Sequence, residues 1–139
     1  MRIEKKTKKT NRRLVMDEKG LKAAIQKYFD SSNESDGGAM AEVFHESAHL
    51  YMASQDGTLV DWDQEFFINR IKSRKESPTG AVFPIHNEIL AIDFTSEDTA
   101  VVRLKIRVGD FLYTDILSFI RLDGTWWIIA KLAAGMPAE

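Results

Sequence analysis

The sequence predicts an α+β domain with three N-terminal helices packed on a strongly curved, mostly antiparallel sheet. Helical apolar stripes fall in the first half of the chain, and three strand-like runs at 98–108, 111–121 and 125–132 follow in the C-terminal third. The turns between the runs are Gly109-Asp110 and Asp123-Gly124, which are typical of β-hairpins. Long strands in a small sheet curl, and helices on the concave face of such a sheet leave room for a pocket.

The individual elements follow from apolar spacing and from the residues at their ends. Residues 17–29 carry apolar side chains at helical spacing behind Asp17, a residue type preferred at the N-cap. A polar stretch and the pair Gly37-Gly38 end this helix. The other predicted elements are a short helix at 39–44, a strand at 48–53 that 58–60 could pair with, a third helix at 62–72 capped by Asp61 or Asp63, and a strand at 84–94.

Length and composition predict one globular domain in the cytoplasm. A chain of 139 residues is large enough for a single core, and we place the domain at residues 16–135 with a short tail at 136–139. No window approaches the roughly 18 apolar residues of a membrane span, so we expect no membrane contact. The chain has no cysteine, which excludes disulfides, thiolate nucleophiles and cysteine-ligated metals.

The charge is unevenly distributed between a basic arm and an acidic domain. Residues 1–15 hold seven of the 19 Lys and Arg but only one of the 21 Asp and Glu, so residues 16–139 carry 12 basic against 20 acidic side chains, a net charge of −8. The arm could touch nucleic acid or an anionic surface, or could be a flexible solvated leader before a domain that begins at Met16. The acidic domain itself is not expected to bind nucleic acid, because phosphate neutralisation needs clustered Lys and Arg.

Asp115 is the first candidate functional residue. In the run 111–121 it shares a strand face with Tyr113, Leu117 and Phe119. A carboxylate among apolar neighbours is costly unless it is paired, protonated or facing a polar cavity. Asp115 could therefore line a pocket as a proton donor or shuttle, or it could pair with Lys131, Arg103 or a backbone donor and only stabilise the sheet.

Three segments of the chain resemble the NTF2-like superfamily, which has a SnoaL-like cone fold. They are residues 41–51 (AEVFHESAHLY), 63–71 and 113–131 (YTDILSFIRLDGTWWIIAK), in the order expected from the predicted elements. Within the superfamily the chain is most similar to the bacterial branch named "Putative lumazine-binding". The motif residues that carry this resemblance are Phe44, His45 and Ala48, then Thr114, Asp115 and Leu117, then Asp123, Gly124, Trp126 and Ile128, with Lys131 after them.

The resemblance covers about residues 17–132 and implies a cone-shaped barrel with a small-molecule pocket. It also implies a homodimer formed through the open sheet face. Two positions depart from the branch: Ala130 stands where a ligand-facing amide or His is common, and Trp127 replaces a Lys or Arg. The predicted dimer face is apolar and consists of Ile116, Ser118, Ile120, Trp127 and Ile129.

The other candidate site residues each have a structural alternative. His45 could act in the pocket or cap the short helix, and His86 could lie at the rim or in solvent. Alternation leaves open whether residues 49 and 51 or residues 48 and 50 face inward. Tyr51 is therefore a candidate pocket residue only because of the family resemblance. Tyr113 could donate a hydrogen bond to a ligand. Trp62 and Phe66 could form either core or pocket wall.

Metal binding and nucleophilic hydrolysis are not expected. The letters HESAH at residues 45–49 match the zinc-protease motif, but that motif needs one continuous helix, and this segment is predicted to cross from helix into strand. The sequence has no Gly-x-Ser-x-Gly elbow and no phosphate-binding loop. We expect no metal and no cofactor.

Two functional hypotheses remain. In the first, the chain is a homodimeric small-molecule-binding domain without catalytic activity, with Asp115 and Tyr51 fixing the polar edge of a flat ligand. In the second, it is a small isomerase, dehydratase or cyclase. Asp115 would then be the general acid/base, helped by Tyr51, Tyr113 or His45 as hydrogen-bond donors.

Overall fold

A computed structural model of the chain describes residues 15–75 and 83–139. The predicted basic arm lies outside the described residues, apart from the exposed Val15 at its end. None of the described helices is long and apolar enough to cross a membrane. The elements are α1 (Glu18–Asn33), α2 (Gly37–Met40), β1 (Phe44–Ala53), β2 (Leu59–Asp63), α3 (Gln64–Lys75), β3 (Asn87–Ser96), β4 (Thr99–Val108), β5 (Phe111–Leu122) and β6 (Thr125–Pro137).

The six strands form one sheet in the order β2-β1-β6-β5-β4-β3. Every neighbouring pair is antiparallel except β1 and β6, which run parallel and join the first strand to the last. Shifts in register interrupt the β1–β6, β3–β4 and β5–β6 ladders. Because such irregularities bend and twist strands, they give the sheet the curvature that the sequence predicted.

The three helices occur in the predicted order along the chain, but they are not all N-terminal to the sheet. α1 and α2 precede the sheet, whereas α3 follows β2. The predicted helix at 39–44 is instead the single turn Gly37–Met40, whose Ala39 amide donates to Asp36 Oδ1 at 3.0 Å. Phe44 is the first residue of β1 rather than the last of a helix, because it pairs with Ile128 of β6. At the C-terminus, β6 continues to Pro137, two residues past the predicted end of the domain.

The core lies between the helices and one face of the sheet, which we call the inner face. α1 contributes a stripe that includes Leu21, Ile25 and Tyr28, and α3 contributes Phe67, Ile68 and Ile71. The strands alternate, so that Val102, Leu104 and Ile106 of β4 are buried, while Val101 before them and Arg103 between them are exposed. The opposite surface, the outer face, carries no helix among the described residues.

A β-bulge in β6 decides which side chains reach the inner face. Ser118 pairs with Ala130 and Phe119 pairs with Ile128, so Ile129 is the extra residue between them. Ile128 and Lys131 are therefore both buried, although they are three residues apart. Ala130, which stands where the family commonly has a ligand-facing side chain, does not face inward. It pairs with Ser118, whose neighbours Leu117 and Phe119 take the inner face.

Asp17 ties the start of α1 to the sheet. Its Oδ1 accepts from the Gly20 amide at 3.0 Å, which confirms the predicted N-cap, and its Oδ2 accepts from Trp126 Nε1 at 2.9 Å. Arg121 Nη1 lies 3.5 Å from the same carboxylate. The indole hydrogen bond is the main reason that the pKa of Asp17 is lowered, and the Gly20 amide adds to it.

Replacing Asp17 by Ala should lower the free energy of unfolding at neutral pH by about 1–2 kcal/mol, the range of a lost N-cap that also serves a partly buried indole. Because the folded pKa is depressed, the stabilisation is present above the unfolded pKa of about 3.9 and is lost as pH falls through the folded value. Urea unfolding of the Asp17→Ala variant at several pH values should show the difference from wild type shrink in acid. The Asp17→Asn variant keeps a capping oxygen and should lose less. An equal loss at every pH would contradict the role of the carboxylate.

Candidate functional site

Asp115 lies at the centre of a small buried polar cluster. Its side chain is fully buried on the inner face of β5. The Tyr28 hydroxyl of α1 donates to Asp115 Oδ2 at 2.5 Å, and Lys131 Nζ lies 3.8 Å from the same oxygen. The other oxygen, Asp115 Oδ1, is buried and has no hydrogen-bond partner among residues 15–75 and 83–139. Because buried polar atoms are rarely left unpaired, this oxygen marks a place where a ligand group would be stabilised.

Lys131 reaches the cluster because of the bulge at Ile129. Its ammonium lies 4.6 Å from the ring centroid of Phe67 and 5.2 Å from that of Tyr28. Burial lowers the pKa of Lys131, while the nearby Asp115 carboxylate partly opposes that shift. Burial, followed by the negative charge of Asp115, raises the pKa of Tyr28 well above its ordinary value. Tyr28 is therefore a neutral hydrogen-bond donor at neutral pH.

A cavity of about 120 Å³ opens beside this cluster, between α3 and the inner face of the sheet. Asp115, Lys131 and Ala133 line its floor, with Ala133 directly opposite Asp115 in the β5–β6 ladder. The walls come from strands on both sides of β6 and from α3. The remaining lining residues are Leu50, Met52, Trp62, Phe67, Arg70, Arg74, Ile106, Val108 and Tyr113.

Tyr113 is held at the cavity by a glycine across the ladder. It pairs with Gly135 of β6, and a Cβ atom at position 135 would lie 2.6 Å from Tyr113 Cε1. The absence of a side chain at Gly135 thus lets the Tyr113 ring pack against the β6 backbone, and any larger residue would have to displace the ring.

Two arginines of α3 give the cavity a positive wall. Arg70 and Arg74 are four residues apart and therefore lie on the same side of the helix. The Arg70 guanidinium is 5.3 Å from the ring centroid of Trp62, and Arg70 is exposed, which places this side of the cavity next to solvent. Arg74 is partly buried, and that burial lowers its pKa.

The comparison with known protein families matches residues 16–132 to the family described as "Putative lumazine-binding". The chain belongs to this family. No curated protein matches the chain. The match spans both the Asp115 strand and the Lys131 strand, in agreement with the motifs that carried the sequence resemblance.

Solved structures share the fold of this family member. An NTF2-like protein of unknown function from Methylobacillus flagellatus KT is 20% identical, with a TM-score of 0.74 over 86% of this chain and 92% of that one. Another from Shewanella baltica OS155 is 19% identical, with a TM-score of 0.74 over 86% and 93%. A ketosteroid isomerase-like protein from Erwinia carotovora atroseptica SCRI1043 is 17% identical, with a TM-score of 0.67 over 88% and 100%. These similarities establish the NTF2-like fold.

Three of the six predicted site residues line the cavity of this family member, namely Asp115, Tyr113 and Trp62. Tyr51 does not, because its neighbours Leu50 and Met52 take the inner face of β1 and alternation turns Tyr51 outward. There it stacks on His49, with ring centroids 5.9 Å apart. Phe66 is 48% exposed and packs against Trp62 outside the cavity lining, where Phe67 takes the inner position.

The histidines lie away from the cavity lining. His45 is on the outer face of β1, where its ring contacts Trp127 edge-on at 5.1 Å and its Nδ1 accepts from the Ser47 amide at 3.0 Å. It does not cap a helix, because β1 begins one residue earlier. The whole HESAH segment lies in this strand, so its letters do not form a helical zinc motif. His86 is exposed, with Nε2 3.1 Å from Glu88 Oε1.

Sequence reasoning missed Tyr28, Phe67, Arg70 and Arg74 as site residues. Tyr28 belongs to the apolar stripe of α1, and only its distance to Asp115 across 87 sequence positions reveals its polar role. Lys131 was named as one of three partners for Asp115, and the structure selects it over Arg103, which lies exposed on the outer face. The pair Arg70 and Arg74 at helical spacing was a signal that could have been noticed, because α3 had to cover the sheet with the face that contains Phe67 and Ile71.

Proposed function

We propose that this chain is a small-molecule-binding protein whose ligand occupies the cavity beside Asp115. The observation that carries the proposal is the unpartnered Asp115 Oδ1, fully buried at the wall of a partly apolar cavity. Leaving such an atom unpaired costs about 1–3 kcal/mol, and a ligand N–H or O–H group would remove that cost. Apolar walls with a few convergent polar groups are the usual composition of a ligand site.

The volume limits the size of the ligand. A dry cavity of about 150 Å³ accommodates benzene, so the 120 Å³ here suits a compound with one ring. The family description points to lumazine, which has two fused rings. A ligand of that size would need its second ring to extend toward the exposed Arg70, where Trp62 offers a surface for stacking.

The proposal is tested by an NMR screen of small cyclic compounds against the uniformly ¹⁵N-labelled protein. Ligands should shift the amide signals of Asp115, Lys131 and Ala133 and the indole signal of Trp62. The indole signal of Trp127, on the outer face, provides an internal control within each spectrum. Shifts confined to the outer face, or no shifts from any compound, would contradict the proposal.

A proton-transfer enzyme is the second candidate function, because Asp115 combines an unpartnered oxygen with a hydroxyl donor and a nearby ammonium. In an isomerase, dehydratase or cyclase, Asp115 would move a proton next to a substrate carbonyl, with Tyr28 and Tyr113 as neighbouring hydroxyl groups. The ketosteroid isomerase-like description of one structural neighbour fits this candidate only loosely.

Replacing Asp115 by Asn separates the two candidates. If the protein only binds, the Asp115→Asn variant should keep its affinity within about tenfold, because the amide preserves shape and one acceptor. If it is an enzyme, turnover should fall by about 10²- to 10⁴-fold while binding persists, because the general acid/base is lost. The measurement is isothermal titration of a ligand from the screen, together with NMR observation of its conversion. Unchanged turnover in the variant would reject the catalytic role.

We further propose that the protein is a homodimer through its outer face, where the five predicted residues Ile116, Ser118, Ile120, Trp127 and Ile129 are all exposed or half-buried. One row of paired residues crosses this face from Arg103 through Ile116, Leu132 and Tyr51 to Asp61. The row has a cation at one end and a carboxylate at the other. A two-fold axis along the strands would set Arg103 of each copy near Asp61 of the other and pack the apolar centres together.

The Ile116→Asp variant should be monomeric at micromolar concentrations at which the wild type sediments as a dimer, because it places a carboxylate in the apolar middle part of this row. Ile89→Asp is the matched control: Ile89 on the edge strand β3 is 41% exposed, against 39% for Ile116. Analytical ultracentrifugation of the three proteins decides the matter. A monomeric wild type, or equal dissociation of both variants, would contradict the proposed interface.

A further inference from the structure

We infer that the cavity selects a compact aromatic monoanion, such as a single-ring carboxylate, with its charged group held by Arg70 and Arg74. The inference rests on the proposed small-molecule function of the same cavity and adds the charge class of the ligand. It is carried by the balance of charges on the cavity wall, by the aromatic residues around them, and by the small volume.

Among residues 15–75 and 83–139, the cavity wall holds three cationic side chains and one carboxylate. Arg70, Arg74 and Lys131 supply the cations, and Asp115 supplies the carboxylate. Lys131 is already matched to Asp115, with Nζ 3.8 Å from Oδ2. No Asp or Glu within residues 15–75 and 83–139 forms an ion pair with either arginine. The positive charge in excess is therefore on the α3 side of the cavity.

The cations act on one another as well as on any ligand. Burial is the main reason that the pKa of Arg74 is lowered, and the positive charge of Arg70 adds a smaller lowering effect. Burial likewise dominates the lowered pKa of Lys131, with a smaller contribution from the charge of Arg74. Like charges in a partly desolvated site are unfavourable unless an anion is present among them. A planar guanidinium pairs well with a carboxylate, because it offers two parallel N–H donors to the two oxygens.

The rest of the cavity fits a flat ring attached to such an anion. Trp62, Phe67 and Tyr113 supply aromatic walls, and Ala133 leaves space next to Asp115. With a carboxylate at Arg70 and Arg74, the far edge of the ring would point toward the β-sheet floor. A hydroxyl or N–H group on that edge would meet the unpartnered Asp115 Oδ1.

The test compares benzoate with benzamide, which has nearly the same shape and no charge. Each is titrated into the full-length protein, and binding is followed by the NMR signals of the Trp62 indole and the Ala133 amide. Benzoate should bind at least about tenfold more tightly than benzamide, as expected for charge-assisted hydrogen bonds to arginine. Raising the salt concentration should lower the affinity for benzoate and leave the affinity for benzamide unchanged.

Substitutions of the two α3 arginines test whether they cause the preference for benzoate over benzamide. Arg74→Gln should lower the affinity for benzoate by about tenfold and leave the affinity for benzamide unchanged. Arg70→Gln, at an exposed position where folding is not at risk, should also lower the affinity for benzoate. Lys75→Gln removes an equal charge from the next position on the helix, outside the cavity lining, and should change benzoate affinity by less than about twofold.

The outcomes separate this inference from the proposed function. If benzamide binds in the cavity as tightly as benzoate, or if Lys75→Gln has the same effect as Arg74→Gln, the anion inference is wrong while the small-molecule site stands. If neither compound moves the cavity signals while other cyclic compounds do, the charge class is again wrong. If no compound moves them, both proposals fail.

Discussion

Replacing Lys131 by Met is expected to lower the free energy of unfolding by about 3–5 kcal/mol, because it leaves the Asp115 carboxylate buried without its cation. Asp115 has no solvent-exposed surface, and Tyr28 would be its remaining hydrogen-bond donor among the described residues. The Met side chain keeps most of the packing of Lys131 against Phe67, so the effect would report on charge rather than on volume. Urea unfolding of the Lys131→Met variant measures it directly.

The double variant Asp115→Leu/Lys131→Met is the control for this prediction. It removes both charges together, and replacing a whole buried ion pair by apolar side chains is often neutral or stabilising. We therefore expect the double variant to be more stable than Lys131→Met alone. A loss below about 1 kcal/mol for the single variant, or additive losses in the double variant, would mean that the two groups do not depend on each other.

Replacing Ala133 by Leu is expected to weaken ligand binding by more than about 100-fold, because the larger side chain occupies the cavity next to Asp115. Ala133 is 7% exposed and lies directly opposite Asp115. The extra atoms of a leucine side chain at this position would therefore extend into the cavity. Unlike a typical overpacked core substitution, this change should leave the free energy of unfolding within about 1 kcal/mol of wild type, since it fills a void. Calorimetric titration with a ligand from the screen measures the loss.

The matched control is Ala23→Leu, which makes the same chemical change at an exposed position of α1. It should bind like wild type, because position 23 is not among the cavity residues. Tight binding by a folded Ala133→Leu variant would place the ligand somewhere other than this cavity.

Local signals in the sequence were sufficient to predict most of the strands and turns of the sheet. The turn Asp123-Gly124 was correctly predicted, and both residues have positive φ values, 51° and 78°, as a type I′ hairpin turn requires. The inward position of Asp115 was also correct, because alternation holds along β5 from Tyr113 to Phe119. These features depend on neighbours in sequence, which is why a single chain reveals them.

The pairing of strands that are far apart in the sequence was harder to predict. The parallel pairing of β1 with β6 leaves no mark in either strand alone, and it is this pairing that makes Phe44 a strand residue. It also fixes the faces of β1, so that Leu50 rather than Tyr51 meets the cavity. The bulge at Ile129 similarly arises from the β5–β6 register, and no local sequence pattern predicts it.

The polar cluster illustrates the same limit. Asp115 was conspicuous because its strand neighbours are apolar, whereas Tyr28 looked like one more apolar residue of a helical stripe. Its hydroxyl becomes significant only when α1 lies across β5 and brings it to 2.5 Å from Asp115 Oδ2. A site residue with an ordinary local role can thus be recognised only after the fold places it.

The most direct test of the central claim, that the cavity beside Asp115 holds a small molecule, is native mass spectrometry of the freshly purified protein. The sample is ionised gently, then denatured, and the released compounds are collected. We predict that the wild type and Ala23→Leu carry a small cyclic compound, which the folded Ala133→Leu variant lacks. A compound retained by Ala133→Leu at the same occupancy, or a wild type that carries none and takes up no cyclic compound offered to it, would contradict the claim.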